Sequence, residues 1–213
     1  GPGQNEIDFR YSTPLNAADN AVTFKSVVQT IARRNGLFAD FSPKPLMHES
    51  GNGLHINVSV KAESGEDVTD SFMAGVLEHT VEMTAFLNPV AASYKRLGEK
   101  KAPKYVTWSP ENRSQLIRIP AVKNESNRRI ELRSPDPAAN PYIAYALIIY
   151  AGLDGIKRKL KPAAPCNCNL FTADGSITDT LANLPDTVEK ARNIAKNSEF
   201  IKRVLPEGYA ENI

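Results

Sequence analysis

Cysteine is almost missing from this sequence, and so are tryptophan, long apolar runs and clusters of basic residues. The only two cysteines, Cys166 and Cys168, stand one residue apart in APCNCN. That spacing is neither a zinc ribbon nor a CxxC redox motif, and two thiols with no further cysteine make a poor metal cage. They read as loop thiols of a reducing cytoplasm. No apolar run approaches the roughly 20 residues that span a bilayer, and no basic leader followed by an apolar stretch opens the chain. A net charge of only +2, with no basic amphipathic stretch, argues against a general nucleic-acid or membrane surface. A soluble cytoplasmic protein is expected.

What is present is an ordinary globular composition, 41% hydrophobic and 23% charged over 213 residues, enough to bury one sizeable core. Residues 1–213 are therefore read as one domain. Its opening GPGQNEIDFRY looks like the interior of a domain, so a fragment is expected. In NEIDFRY the residues Glu6, Asp8 and Arg10 alternate with Ile7, Phe9 and Tyr11, which predicts a strand. Helical spacing predicts a helix over Ala17 to Asn35, then a second strand at Phe38 to Phe41. A long helix is expected over Ser71 to Leu87, stopped by Asn88-Pro89, with His48 and His79 read as surface or helix residues. NPYIAYALIIYAGLDGIKRKL starts at proline and ends in basic residues, which suits a buried helix. Weaker helical patterns lie around Leu181 to Asn193 and Asn197 to Val204. The fold class expected is α+β, with a mostly antiparallel sheet, helices on its outer face and a charged face lining a cavity.

Two stretches carry the chemistry. The runs QLIRIP and RRIELR alternate apolar with charged residues, and the polar link Ala121 to Asn127 makes an antiparallel pair the simplest reading. Arg113, Arg118, Arg129, Glu131 and Arg133 then lie close together. Such a group is either a solvated, salt-bridged hairpin or a wall that holds phosphates and a metal, because each guanidinium offers an anion a planar fork. The second stretch is HESGNGLHINVSVK. Its glycine loop, Ser50 to Gly53, lets a ligand approach the backbone, and it feeds a strand over Leu54 to Val60. On that strand His55, Asn57 and Ser59 share one face, where His55 is a structural histidine or a metal ligand.

Taken in order, GPGQNEIDFRY, KPLMHESGNGLHINVS, SYKRL with NRSQLIRIP, and RRIELRSPDPAANPY followed by a helix ending AGLDGIK resemble the signature blocks of the catalytic domain of type I glutamine synthetase. The resemblance extends to about Leu170. It implies ATP-dependent joining of ammonia to glutamate through a γ-glutamyl phosphate, with Mg²⁺ or Mn²⁺. It assigns Glu6 to one metal site and His55 with Glu131 to the other. Gly51 and Arg96 fall on the substrate glutamate, with Arg133 where substrate and phosphate meet. Arg113 and Arg118 fall at phosphate-handling positions, and Tyr11, Asn57, Ser59 and Arg129 join Arg118 around the nucleotide. It also implies a curved, incomplete barrel with an exposed sheet edge, a parent that assembles as a homo-oligomeric ring, and a small N-terminal domain and first catalytic strands lying upstream of this chain.

Departures from the family pattern accompany the match. Lys101 stands where a flap glutamate precedes Ala102-Pro103, Ser50 replaces a loop asparagine, and Phe171 replaces a tyrosine that some members modify. Further metal-ligating carboxylates of the family would lie before Gly1, so the isolated fragment is expected to be inactive. The alternatives are a γ-glutamyl ligase for another amine and a non-catalytic nucleotide or amino-acid binding paralogue. A phosphagen kinase would not account for the glycine loop beside His55.

Overall fold

Two long helices carry most of the core, and glycine sets how closely they meet. The computed structural model describes residues 1–122, 124 and 127–213. The order is α1 (Pro14–Arg34), β1 (Ile56–Val58), α2 (Thr69–Leu87), α3 (Ala91–Tyr94), β2 (Trp108–Ser109), β3 (Ile117–Arg118), β4 (Ile130–Leu132), α4 (Pro141–Arg158), α5 (Gly175–Thr178), α6 (Val188–Asn197), α7 (Glu199–Val204) and a terminal 3₁₀ turn, Ala210–Asn212. A Cβ on Gly75 of α2 would lie 2.1 Å from the Ala151 carbonyl oxygen of α4, and one on Gly155 would lie 2.2 Å from the Ser71 oxygen. The backbones of α2 and α4 therefore touch with no side chain between them. Met73, Val76, Met83 and Leu87 of α2 and Leu147 and Ile148 of α4 are buried around this contact.

α4 begins where the sequence predicts. The Asn140 side chain accepts from the Tyr142 N–H at 3.0 Å, Pro141 occupies the first turn, and Lys157 and Arg158 complement the last. Among the described residues no helix is long and apolar enough to cross a membrane. α1 also starts on a proline and ends with Arg33 and Arg34. Its packed side is narrower than its apolar pattern, since Ala18 and Ala21 are buried while Val22, Val27 and Ile31 are exposed.

The sheet is small, open and mixed, in the order β1-β4-β3-β2. The expected antiparallel pair is β3 with β4, in the register Ile117 to Leu132 and Arg118 to Glu131, and β1 pairs antiparallel on the other side of β4. The link between the two charged runs contains Lys123, Glu125 and Ser126, which lie outside the described residues. The mostly antiparallel, barrel-like sheet needs correcting at β2, which runs parallel to β3. The cause is local: the Ser109 hydroxyl accepts from the Glu111 and Asn112 N–H groups, and the Asn112 side chain accepts from Ser114 N–H. This tight turn carries the chain back so that residues 117–118 start beside residues 108–109.

Two expected strands do not form. Residues 4–13 and 38–41 are irregular, and Phe9 and Phe41 pack on Phe24 of α1 while Ile7, Tyr11 and Phe38 stay exposed. Phe9 meets Phe24 edge-on at 5.2 Å, and Phe24 meets Phe41 at 6.0 Å. His79 is not a lone helix residue either. It is buried, its ring stacks on Phe200 at 3.9 Å, and its two nitrogens contact Glu82 at 2.6 Å and Asp154 at 3.1 Å. This tie joins α2, α4 and α7, with Arg158 and Arg203 completing the charge around Asp154.

Gly155→Ala tests the helix contact. Alanine favours an isolated helix, yet its Cβ meets the Ser71 carbonyl, so overpacking outweighs propensity and the variant should lose about 2 kcal/mol by urea unfolding.

Candidate functional site

One carboxylate gathers the charged face of the sheet. Because Ile130 and Leu132 of β4 turn into the core, Glu131 faces the other way with Arg129 and Arg133 beside it. The Glu131 Oε1 atom accepts from Arg133 Nη1 at 2.6 Å and lies 3.2 Å from His55 Nδ1. Its Oε2 accepts from Arg118 Nη1 at 2.8 Å, across the β3–β4 pair. Burial pushes the Glu131 carboxyl up, but the His55 hydrogen bond, the Arg133 charge and the Arg118 bond outweigh it and hold it down at about 2. Glu131 is thus an anion at every physiological pH. It partners Arg133 and Arg118 directly, as a salt-bridged hairpin would have it, yet it is 7% exposed and reaches His55 just before β1.

The glycine loop forms the second wall. A Cβ at Gly53 would lie 2.8 Å from both Arg96 Nη2 and His55 Nε2, and one at Gly51 would strike the Pro43 carbonyl and the Arg96 side chain. Only glycine lets this loop close over Arg96. Arg96 is 2% exposed, and it donates to the backbone oxygens of Ser134 at 2.6 Å and Arg133 at 3.1 Å. Burial lowers it to about 10, partly offset by the charge of Asp136. The loop, Arg96 and the Glu131 cluster are therefore tied to one another.

Sequence reasoning passed over the residues that hold this loop in place. Gln4 donates to the Gly51 oxygen at 3.1 Å and to Asn52 Oδ1 at 2.9 Å, and Asn52 donates to the Asp40 and Ser42 oxygens. Asp136 is fully buried and accepts from the Asn88 amide at 2.8 Å, and burial raises its carboxyl. Amides inside a glycine loop and an acid between two prolines are the signals that could have flagged them.

The structure brings together His55, Glu131, Arg118, Arg133, Arg96, Gly51 and, through its carbonyl accepting from Arg133 Nε at 3.2 Å, Arg113. Arg129 donates to Asn57 Oδ1 at 3.2 Å, joining two of the nucleotide candidates, and Ser59 is exposed further along the same strand face. Tyr11, 92% exposed, and Glu6 lie on the N-terminal segment, and among the described residues Glu6 does not converge with His55 and Glu131.

These residues fit a phosphate and a hard cation. The Nε of Arg118 is buried with no partner among the described residues, a donor left for an anion. His55 and Glu131 offer nitrogen and oxygen, the donor set of Mg²⁺ or Mn²⁺, but only two of the roughly six ligands such an ion takes. A hollow of about 270 Å³ beside Ser114, lined by Gly98, Lys104, Tyr105, Leu170 and Phe171 among others, includes none of this cluster.

Comparison with known proteins follows the same lines. The model of the family described as glutamine synthetase, catalytic domain, matches residues 1–213. The chain is 43% identical over 221 residues to a glutamine synthetase of Methanosarcina mazei, covering 97% of this chain and 49% of that protein. It is 45% identical over 219 residues to one of Staphylococcus aureus, covering 96% and 49%. A solved structure titled GmaS/ADP complex superposes with a TM-score of 0.81 at 32% identity, over 96% of this chain and 50% of that one. The chain spans about half the length of the curated relatives it matches.

Glu131→Gln should unload this cluster. Above pH 4.5 it leaves Arg133, Arg118 and His55 without their anion, at a cost of about 3 kcal/mol in unfolding free energy. A depressed carboxyl stabilises above its unfolded value and loses that contribution as pH falls through its folded value. The gap between the natural sequence and Glu131→Gln should therefore shrink from pH 4.5 towards pH 2, as read by urea unfolding across that window.

Proposed function

The chain belongs to the glutamine synthetase catalytic-domain family, and we propose that it is part of an ATP-dependent ligase that joins ammonia to glutamate through a γ-glutamyl phosphate. The observation that carries this reading is the Glu131 cluster, in which Arg118, Arg133 and His55 converge on one ionised carboxylate while the buried Nε of Arg118 has no partner among the described residues. In this reading bound ATP, with Mg²⁺ or Mn²⁺, supplies the phosphoryl group and the charge that offsets its oxygens. Residues of this chain do the rest. Glu131 holds Arg118 and Arg133 in fixed directions, so both reach an incoming anion without reorganising. Arg113 and Arg118 take the phosphate side, and Arg133 lies where phosphate and substrate meet. Gly51 and Arg96 shape the seat of the glutamate, while Tyr11, Asn57, Ser59 and Arg129 border the nucleotide. His55 and Glu131 would hold one ion and Glu6 would contribute to the second.

The half of the relatives' length that this chain does not span has to supply the remaining ligands, so residues 1–213 act as one unit that is inactive alone. A cytoplasmic location and a ring of identical subunits belong to the same proposal. A full-length parent given Mg²⁺, ATP, glutamate and ammonia should form γ-glutamyl product, and Arg133→Ala should lower its kcat by about 100-fold or more. Absence of product from the parent would overturn the reading.

Lys101 supports a second reading, ligation of an amine other than ammonia. It is exposed, at φ 76°, beside Lys100, whose ammonium donates to the His48 oxygen. A lysine cannot take the proton that an ammonium ion must lose. Lys101→Glu in the parent should raise the rate with ammonia relative to polyamines. A parent inactive with every amine, and unchanged by Lys101→Glu, is instead a non-catalytic binding paralogue.

A further inference from the structure

Cys166 and Cys168, read from the sequence as unremarkable loop thiols, face each other with their sulfurs 3.3 Å apart, both partly exposed. Residues 166–168 of their loop are each fastened to the segment that leads into the charged wall. Cys166 N–H donates to the Trp108 carbonyl of β2 at 2.9 Å. Asn167 Oδ1 accepts from the Ser109 hydroxyl at 3.0 Å. The Cys168 carbonyl accepts from the side chains of Asn112 at 2.8 Å and Gln115 at 2.9 Å, and Gln115 is fully buried. Asn112 and Gln115 bracket Arg113, and β3 with Arg118 follows at once.

From this geometry we infer that Cys166 and Cys168 form a reversible dithiol–disulfide site, read out by residues 108–118. A disulfide needs its sulfurs about 2 Å apart, so closure draws the two side chains together by more than an ångström. The Cys166 N–H, the Asn167 side chain and the Cys168 carbonyl, which resist the pull, are all bonded to residues 108–115. The oxidant class is a low-molecular-weight disulfide. One cysteine thiolate attacks it, forming a mixed disulfide and releasing one small thiol. The second cysteine, as its thiolate, then attacks the cysteine sulfur of that mixed disulfide and expels the other small thiol. The protein loses two hydrogens and two electrons, and the small disulfide becomes two thiols. The S–H of Cys168, pushed up by its hydrogen bond with Cys166, is held towards its neighbour. A ring closed across a single intervening residue is strained, which makes the bond easy to reduce and suits a reversible site.

The test uses the whole 213-residue protein, equilibrated in mixtures of oxidised and reduced glutathione, quenched, alkylated and weighed intact. Since there are no other cysteines, the count is direct. Both alkylation sites should disappear together, with a mass lower by two hydrogens and no glutathione retained. Cys168→Ser should instead keep one glutathione on Cys166. Hydrogen exchange at residues 108–118 should differ between the reduced and oxidised forms, while exchange in α2 stays the same. A glutathione adduct that persists on the natural sequence, a disulfide-linked dimer, or two cysteines that remain alkylatable would overturn the site. Unchanged exchange at residues 108–118 would overturn its transmission to the wall.

Discussion

The ionised carboxylate of Glu131 is the constraint on which the charged wall depends. Arg133 is 5% exposed, and a buried guanidinium without a counter-charge costs several kcal/mol. Glu131 supplies that charge to Arg133 and Arg118 at once and also meets His55 just before β1. Three strands of only two or three residues would otherwise have little reason to keep their register, since each pairing contributes few backbone bonds. Here the polar cluster and the apolar underside agree: Ile56, Ile117, Ile130 and Leu132 are buried in the same register that brings the charges together.

The rest of the site is arranged around this point by backbone geometry. Gly51 and Gly53 close over Arg96, Arg96 clamps the carbonyls of Arg133 and Ser134, and Asn88 with Asp136 fixes the turn that follows. Each tie restrains the direction of Arg133 or of the loop beside His55. This explains why buried polar residues collect here although burying them costs free energy. Most of their donors are bonded, while the Nε of Arg118 and the hydroxyls of Ser93 and Ser134 are buried without a partner among the described residues.

Much of this was legible from residue pattern alone. The β3–β4 pair, α1, α2 and α4 follow from period-two and helical spacing together with prolines and basic residues at helix ends. The alternation along residues 54–60 correctly set His55, Asn57 and Ser59 on one face. What the pattern missed was decided by partners distant in sequence. NEIDFRY alternates like a strand, yet Phe9 finds Phe24 of α1 and the segment joins no sheet. β2 runs parallel because two side chains, Ser109 and Asn112, build a turn that no periodicity encodes. His79 looked solitary because Asp154 and Phe200 reach it from other helices. Gln4, Asn52 and Asp136 act through side-chain hydrogen bonds to separate segments, which leave no repeat to read.

The most direct test of this account is the titration of one group. Carbon-detected NMR of the Glu131 side chain, assigned by comparison with Glu131→Gln, follows its ionisation as acid is added. A midpoint near pH 2 is expected if Arg133, Arg118 and His55 converge on it as described. A midpoint near the ordinary glutamate value of 4.5 would mean that the three side chains do not meet there, and the wall built around them would fall with it.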